Sequence, residues 1–137
     1  MPDIRFGPNL SGNFYISVYY HQATAKQNPH KSRWIIPPNE EYDLFNLADE
    51  RVKDGEDESP RKWESGGYLY SFRNKMKDVI GRNGERVGKF DPGSVIHEWH
   101  GYPKIKPDID KSLNKEWFEE GLISAATKQK LIFTLYF

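Results

Sequence analysis

The sequence predicts an α+β fold, with a mostly antiparallel sheet and two or three helices packed on one side. Two segments alternate in the manner of half-buried strands: "NFYISVYY" over residues 13–20 and "GYLYSFR" over residues 67–73. The dipeptide Asn83-Gly84, between two short apolar segments, is typical of a hairpin turn. The stretch that follows Pro38 instead spaces its apolar residues as a helix does.

The 137 residues fit a single domain over 1–137, and 15% of them are aromatic. We therefore expect a core built from large rings. The chain has no cysteine, which excludes disulfides, thiol catalysis and cysteine-ligated metals. It shows neither a signal-peptide pattern nor an apolar run of about 18 residues. A cytoplasmic protein with no membrane contact is the expectation.

The remaining elements follow from local signals along the chain. "RWII" (33–36) reads as a short strand that the following prolines end. Asn39 can cap a helix whose first turn is acidic and which Gly55 can terminate. Near the C-terminus, Gly121 can close one short amphipathic helix, and Ser124 can cap another.

The stretch "VIHEWHGYP" (95–103) is the best candidate for chemistry, and a strand entering a tight turn is the structure that we expect for it. Its histidines are three residues apart, one fewer than the His-Glu-x-x-His zinc pattern needs on a helix. We therefore predict no metal site and no cofactor. General acid–base catalysis requires only one histidine near a carboxylate. The candidate catalytic residues are His97, His100 and Glu98.

An acidic segment gives the leading functional hypothesis. Residues 39–60 carry nine acidic and two basic side chains in a chain whose net charge is zero. Such a segment can neutralise a basic partner and accelerate association with it, although it could equally be a solvated helix face and loop. The predicted contact residues are Glu40, Glu41, Asp43, Glu56, Asp57 and Glu58, with the aromatic Trp99 and Tyr102.

A third hypothesis concerns the basic and aromatic middle of the chain. Rings on one face of a strand, flanked by cations, can stack on bases and follow a phosphate backbone. No known RNA-binding signature accompanies them, and the same rings could simply face the core. The residues in question are Tyr68, Tyr70, Phe72, Arg73, Arg82 and Arg86.

The sequence thus ranks three functions. The first is a small binding protein that acts through protein–protein contacts, such as an inhibitor or immunity-type partner of a basic protein. The second is a histidine-dependent hydrolase or nuclease centred on residues 97–102, and the third is a weak binder of single-stranded nucleic acid. Enzymatic activity is not the leading expectation.

Overall fold

The computed structural model describes residues 3–25, 32–50 and 62–132. Six strands form one sheet in the order β1-β2-β6-β5-β4-β3. Neighbouring strands run antiparallel, except that β2 is parallel to β6. The predicted α+β class and the mostly antiparallel sheet are confirmed. The strands are β1 (Ile4–Phe6), β2 (Phe14–Ser17), β3 (Glu64–Ser65), β4 (Tyr68–Phe72), β5 (Val87–Pro92) and β6 (Glu98–Lys104).

Three helices accompany the sheet: α1 (Pro38–Asp49), α2 (Lys111–Glu119) and α3 (Ala125–Ile132). None of the helices in the described ranges is both long and apolar enough to cross a membrane. Phe45 of α1 packs on the face that carries Phe90, with ring centroids 5.6 Å apart.

Helix α2 approaches the sheet differently from α1. The Trp117 ring lies 4.9 Å from that of Phe72. Phe72 alternates with Leu69 and Ser71 along β4, so it faces away from α1. Strand β4 is therefore covered on both faces, which explains why its last four residues are all buried.

The core is built from rings, as the composition predicts. The largest fully buried side chains include Trp34, Trp63 and Trp117. Trp63 stacks on Phe72 with an interplanar angle of 4° and meets Trp117 edge-on. Offset and edge-to-face contacts of this kind add to the apolar area that the rings bury.

Two predicted elements differ from the structure. Residues 33–36 contribute only an isolated bridge between Trp34 and Gly81 rather than a strand. Helix α1 begins at Pro38, so Asn39 lies inside it and does not cap it. Proline suits the first helical position because its missing N–H would have no partner there. The predicted end near Gly55 lies outside the described residues.

The turn and cap residues near the C-terminus behave as predicted. Gly121 has φ +73° and allows the Leu122 amide to donate to the Trp117 carbonyl at 2.8 Å. The Ser124 hydroxyl accepts from the Thr127 amide at 3.1 Å. Asp110 also caps α2, accepting from the Leu113 amide at 2.8 Å.

A buried carboxylate, that of Glu41, connects α1 to the sheet. It accepts hydrogen bonds from the Tyr15 hydroxyl at 2.7 Å and the Ser17 hydroxyl at 3.0 Å. Burial raises the pKa of Glu41 from 4.5 to about 7, although both hydrogen bonds oppose that rise. Glu41 is 0% exposed, which corrects the expectation that it contributes to an accessible acidic surface.

This raised pKa predicts how stability depends on pH. Between pH 4.5 and about 7 the folded protein holds a proton that the unfolded chain has released, so stability falls as pH rises. Over this pH range the free energy of unfolding falls by roughly 3 kcal/mol, at 1.36 kcal/mol per unit of difference between the folded and unfolded pKa values. Glu41→Gln should therefore remove this pH dependence and make the protein more stable than wild type at pH 8.

Urea denaturation at several pH values measures the effect. Asp43→Asn is the matched control, because it removes an exposed charge from the same helix. A Glu41→Gln variant that is less stable than wild type at pH 8 would show that the ionised carboxylate is favoured in the fold.

Candidate functional site

The histidines of the 95–103 stretch lie in different surroundings. The stretch runs from a turn into β6, the reverse of the predicted order. His97 lies in the turn with φ +66°, and its Nδ1 is 3.3 Å from Oδ1 of Asn13. His100 lies within β6, directly opposite Asp91 of β5. Glu98 pairs with Arg5 at 3.2 Å. The three predicted catalytic residues therefore do not form one catalytic group.

No three acidic or histidine side chains of the described ranges come close enough together to ligate a metal ion. Within the stretch itself, His97 contacts Asn13, and His100 lines a separate pocket with Asp91.

A buried aspartate organises the end of the molecule at which His97 lies. The carboxylate of Asp49, at the end of α1, accepts from the side-chain amides of Asn9 at 2.7 Å and Asn13 at 2.9 Å. Its other oxygen pairs with Lys62 at 2.7 Å. Because the Asn13 side chain also contacts His97, one carboxylate connects the end of α1 to two loops.

The loop from Asn9 to Asn13 is shaped by side-chain hydrogen bonds. The Asn9 carboxamide oxygen accepts from the amides of Ser11 and Asn13, at 3.0 and 2.9 Å. The Ser11 hydroxyl donates to the carbonyl of Asp49, and the Leu10 amide donates to the carboxylate of Glu50. These bonds fix the backbone on both sides of Leu10, whose own side chain points into solvent.

The loop adjoins the turn that precedes β6, because the Phe14 amide donates to the His97 carbonyl at 2.7 Å. In this turn, Val95 and Ile96 are 54% and 80% exposed, and Leu10 in the adjoining loop is 87% exposed. They are the three most exposed large hydrophobic side chains of the described residues. We call Leu10, Val95 and Ile96 the apolar tip.

The apolar tip was not predicted from the sequence. Alternation and helical spacing find residues that face a core, and neither pattern marks an exposed apolar residue in a loop. The available signal was Leu10 itself, which lies alone among turn-forming residues in "GPNLSGN".

The predicted acidic contact residues are dispersed. Asp43 is exposed on α1, whereas Glu40 forms a 2.7 Å ion pair with Arg73. Glu41 is buried, as described above. Glu56, Asp57 and Glu58 lie outside the described residues. Of the predicted acidic contact residues in the described ranges, Asp43 is therefore exposed, and Glu40 is partly exposed in its ion pair with Arg73.

The two aromatic residues predicted as contacts lie on opposite faces of β6. Trp99 is half-buried, with its ring 5.9 Å from that of Phe45 in the core. Tyr102 stacks on His21 with ring centroids 5.5 Å apart. Burial, followed by the charge of Asp91, raises the pKa of the Tyr102 hydroxyl.

The predicted nucleic-acid residues do not form a continuous stacking surface. Tyr70 is 1% exposed, and its burial followed by the charge of Asp108 raises its pKa to about 12. Phe72 is buried against Trp117, so neither ring can stack on a base. This corrects the expectation of a stacking row, since only Tyr68 of the three is open to solvent.

The arginines of that hypothesis are separated as well. Arg73 is paired with Glu40, and Arg82 donates to the carbonyl of Ala23 at 3.1 Å. Arg86 is half-buried just before β5.

No family model, curated protein or solved structure matches this chain. The fold and the side-chain geometry are therefore the basis for any functional proposal.

The hydrogen bonds of Asn9 predict the effect of its removal. Asn9→Ala takes away the amide that donates to Asp49 and the oxygen that holds the Ser11 and Asn13 amides. We expect a loss of roughly 3 kcal/mol in unfolding free energy, because one of these bonds goes to a buried charge. Urea denaturation measures the loss, and hydrogen exchange should become faster at Ser11 and Asn13.

Asn39→Ala is the matched control, since Asn39 is exposed on α1. If Asn9→Ala leaves both the stability and the two exchange rates at their wild-type values, the loop does not depend on this side chain.

Proposed function

We propose that the protein binds another protein through the apolar tip. The observation that carries this proposal is that its three most exposed large hydrophobic side chains lie on two adjoining loops. Single exposed aliphatic residues are ordinary on a protein surface, whereas larger apolar patches mark interaction sites, and we propose that the two loops together present such a patch.

The rigidity of the loop supports this proposal. Hydrogen bonds to Asn9, Asp49 and Glu50 hold the backbone around Leu10 in one conformation. A contact residue that is already ordered loses little conformational entropy when a partner binds. Leu10 has an exposed side chain on a backbone that this hydrogen-bond network fixes. It is therefore suited to act as an anchor that enters a pocket of the partner.

Charge indicates the chemistry of the partner. Glu50 lies beside Leu10, and Lys62 pairs with Asp49 at the same end of the molecule. The eleven residues between Glu50 and Lys62 carry four acidic and three basic side chains, among them the consecutive acids Glu56, Asp57 and Glu58. We therefore propose a partner that has an apolar pocket with basic residues around it, as an inhibitor or immunity-type protein would require of its target. A cytoplasmic setting remains the expectation from the cysteine-free composition.

Site-specific photocrosslinking in the cells that make the protein tests the proposal. A benzoylphenylalanine at Leu10 or at Ile96 should give a covalent adduct of the same size with one partner. The same probe at Ile35, which is 50% exposed and outside the apolar tip, should not give this adduct. The absence of an adduct at both tip positions, or an equal adduct at Ile35, would contradict the proposal.

Once that partner is identified, its affinity for variants of the protein measures the contribution of the apolar tip to binding. Leu10→Ser and Ile96→Ser should each weaken binding by at least about tenfold, whereas Ile35→Ser should leave it unchanged. Replacing Glu56, Asp57 and Glu58 together by their amides should lower the association rate and its dependence on salt.

Exposed aliphatic loops can also insert into membranes. A vesicle-binding assay distinguishes membrane binding from binding to a protein partner. Acidic residues near the tip should be repelled by anionic lipids. Co-sedimentation with phosphatidylserine vesicles that is lost in Leu10→Ser would overturn the proposal of a protein partner.

A further inference from the structure

A histidine next to the apolar tip occupies a turn position that favours glycine. The Glu98 amide donates to the Val95 carbonyl at 3.1 Å, so residues 95–98 form a four-residue turn whose third member is His97. Its φ of +66° is a conformation that glycine adopts freely and that a residue with a side chain rarely adopts. Because non-glycine residues in this conformation cluster at functional sites, the His97 side chain is a candidate for a function.

The hydrogen bonds of Asn13 determine which ring nitrogen of His97 carries the proton. A carboxylate can only accept hydrogen bonds, so the side-chain amide nitrogen of Asn13 must face Asp49, 2.9 Å away. The Asn13 carboxamide oxygen is then the atom that meets His97, and it can only accept. Nδ1 of His97 lies 3.3 Å from this oxygen and is the donor, so it carries the proton.

The other ring nitrogen of His97 is then an acceptor. A neutral imidazole has one N–H group and one lone pair, so a proton on Nδ1 leaves the lone pair on Nε2. The His97 side chain is exposed, and within the described part of the chain its ring makes no hydrogen bond other than the one to Asn13. The turn thus offers a hydrogen-bond acceptor directly after Ile96, on a ring that Asn13 orients.

We propose that Nε2 of His97 accepts a hydrogen bond from a cationic side chain of the protein that the apolar tip binds. This inference rests on the function proposed above and names one polar contact of the same site. Leu10 and Ile96 supply the apolar contacts, and His97 selects a partner that places an arginine or lysine at the rim of its pocket. Because a hydrogen bond to a charged donor is stronger than one between neutral groups, this contact contributes to specificity.

The charge at this end of the molecule supports a cationic donor over a neutral one. Glu50 accepts from the Leu10 amide, and its negative charge attracts a cation to the surface around the apolar tip. Lys62, the cation at the same end, is paired with the buried carboxylate of Asp49, which offsets its charge. A partner cation near His97 therefore approaches a surface that favours it.

The position of the proton is measured on the protein alone, by NMR of the ¹⁵N-labelled histidine rings at about pH 8.5, where ordinary histidines are neutral. His97 should give the pattern of an Nδ1–H ring, with an unprotonated Nε2. A histidine without a partner in water is mainly in the opposite, Nε2–H form, so the two results are distinct. An Nε2–H ring at His97 would overturn the inference.

Affinity for the partner identified by crosslinking tests the contact itself. His97→Asn suits the turn, because asparagine tolerates positive φ, and its carboxamide lacks an atom at the position of Nε2. This variant should fold and should bind the partner at least about tenfold more weakly. His97→Gln, whose side chain reaches further, should retain more of the affinity. The matched control is His100→Asn, which should not change the affinity because His100 lies within β6, outside the apolar tip.

These measurements separate the inference from the function on which it rests. If Leu10→Ser weakens binding and a folded His97→Asn protein binds as wild type does, the apolar tip is the binding site and the role of His97 is wrong. If no partner is captured at Leu10 or at Ile96, both proposals are overturned. Loss of binding on addition of EDTA would assign Nε2 to a metal ion and would contradict a cationic side chain as its donor.

Discussion

The buried carboxylate of Asp49 holds together parts of the chain that are far apart in sequence. It accepts from Asn9 and Asn13, about 40 residues earlier, and pairs with Lys62 beyond the helix that it ends. A buried charge is stable only when it is paired and hydrogen-bonded. This requirement constrains the loop and the end of α1 together, and through Asn13 it extends to the turn at His97. The position of the apolar tip follows from it.

The sequence predicts those parts of the fold that have a repeating local pattern. Strands β2 and β4 were found because their residues alternate, whereas β1 and β3, with three and two residues, are too short to show a period. Glu41 was assigned to the surface because of its charge. Its spacing of four residues from Phe45 places it on the core face of α1, where Tyr15 and Ser17 supply donors. In this helix the spacing was the better guide.

The candidate sites were harder to predict, because each combines residues that only the tertiary structure brings together. The contact between Asn9 and Asp49 joins positions 40 residues apart and has no local signature. The pairing of Asp91 with His100 depends on the register of β5 and β6, which has no local signature, although Asp91 was one of the carboxylates considered as a partner for a histidine. The basic and aromatic middle was noticed for its composition, yet two of its three rings are buried and the open one, Tyr68, borders the pocket. Composition thus indicated the region but not the geometry.

The central claim is that the protein presents exposed apolar side chains on a backbone that its own polar contacts hold rigid. Backbone ¹⁵N relaxation at Leu10 and Ile96 tests it most directly, because order parameters report motion on the picosecond-to-nanosecond timescale. The account predicts values near about 0.85 at both residues, equal to those in α1, despite their exposure. Values below about 0.6 would show that the tip is a flexible loop and would contradict the account.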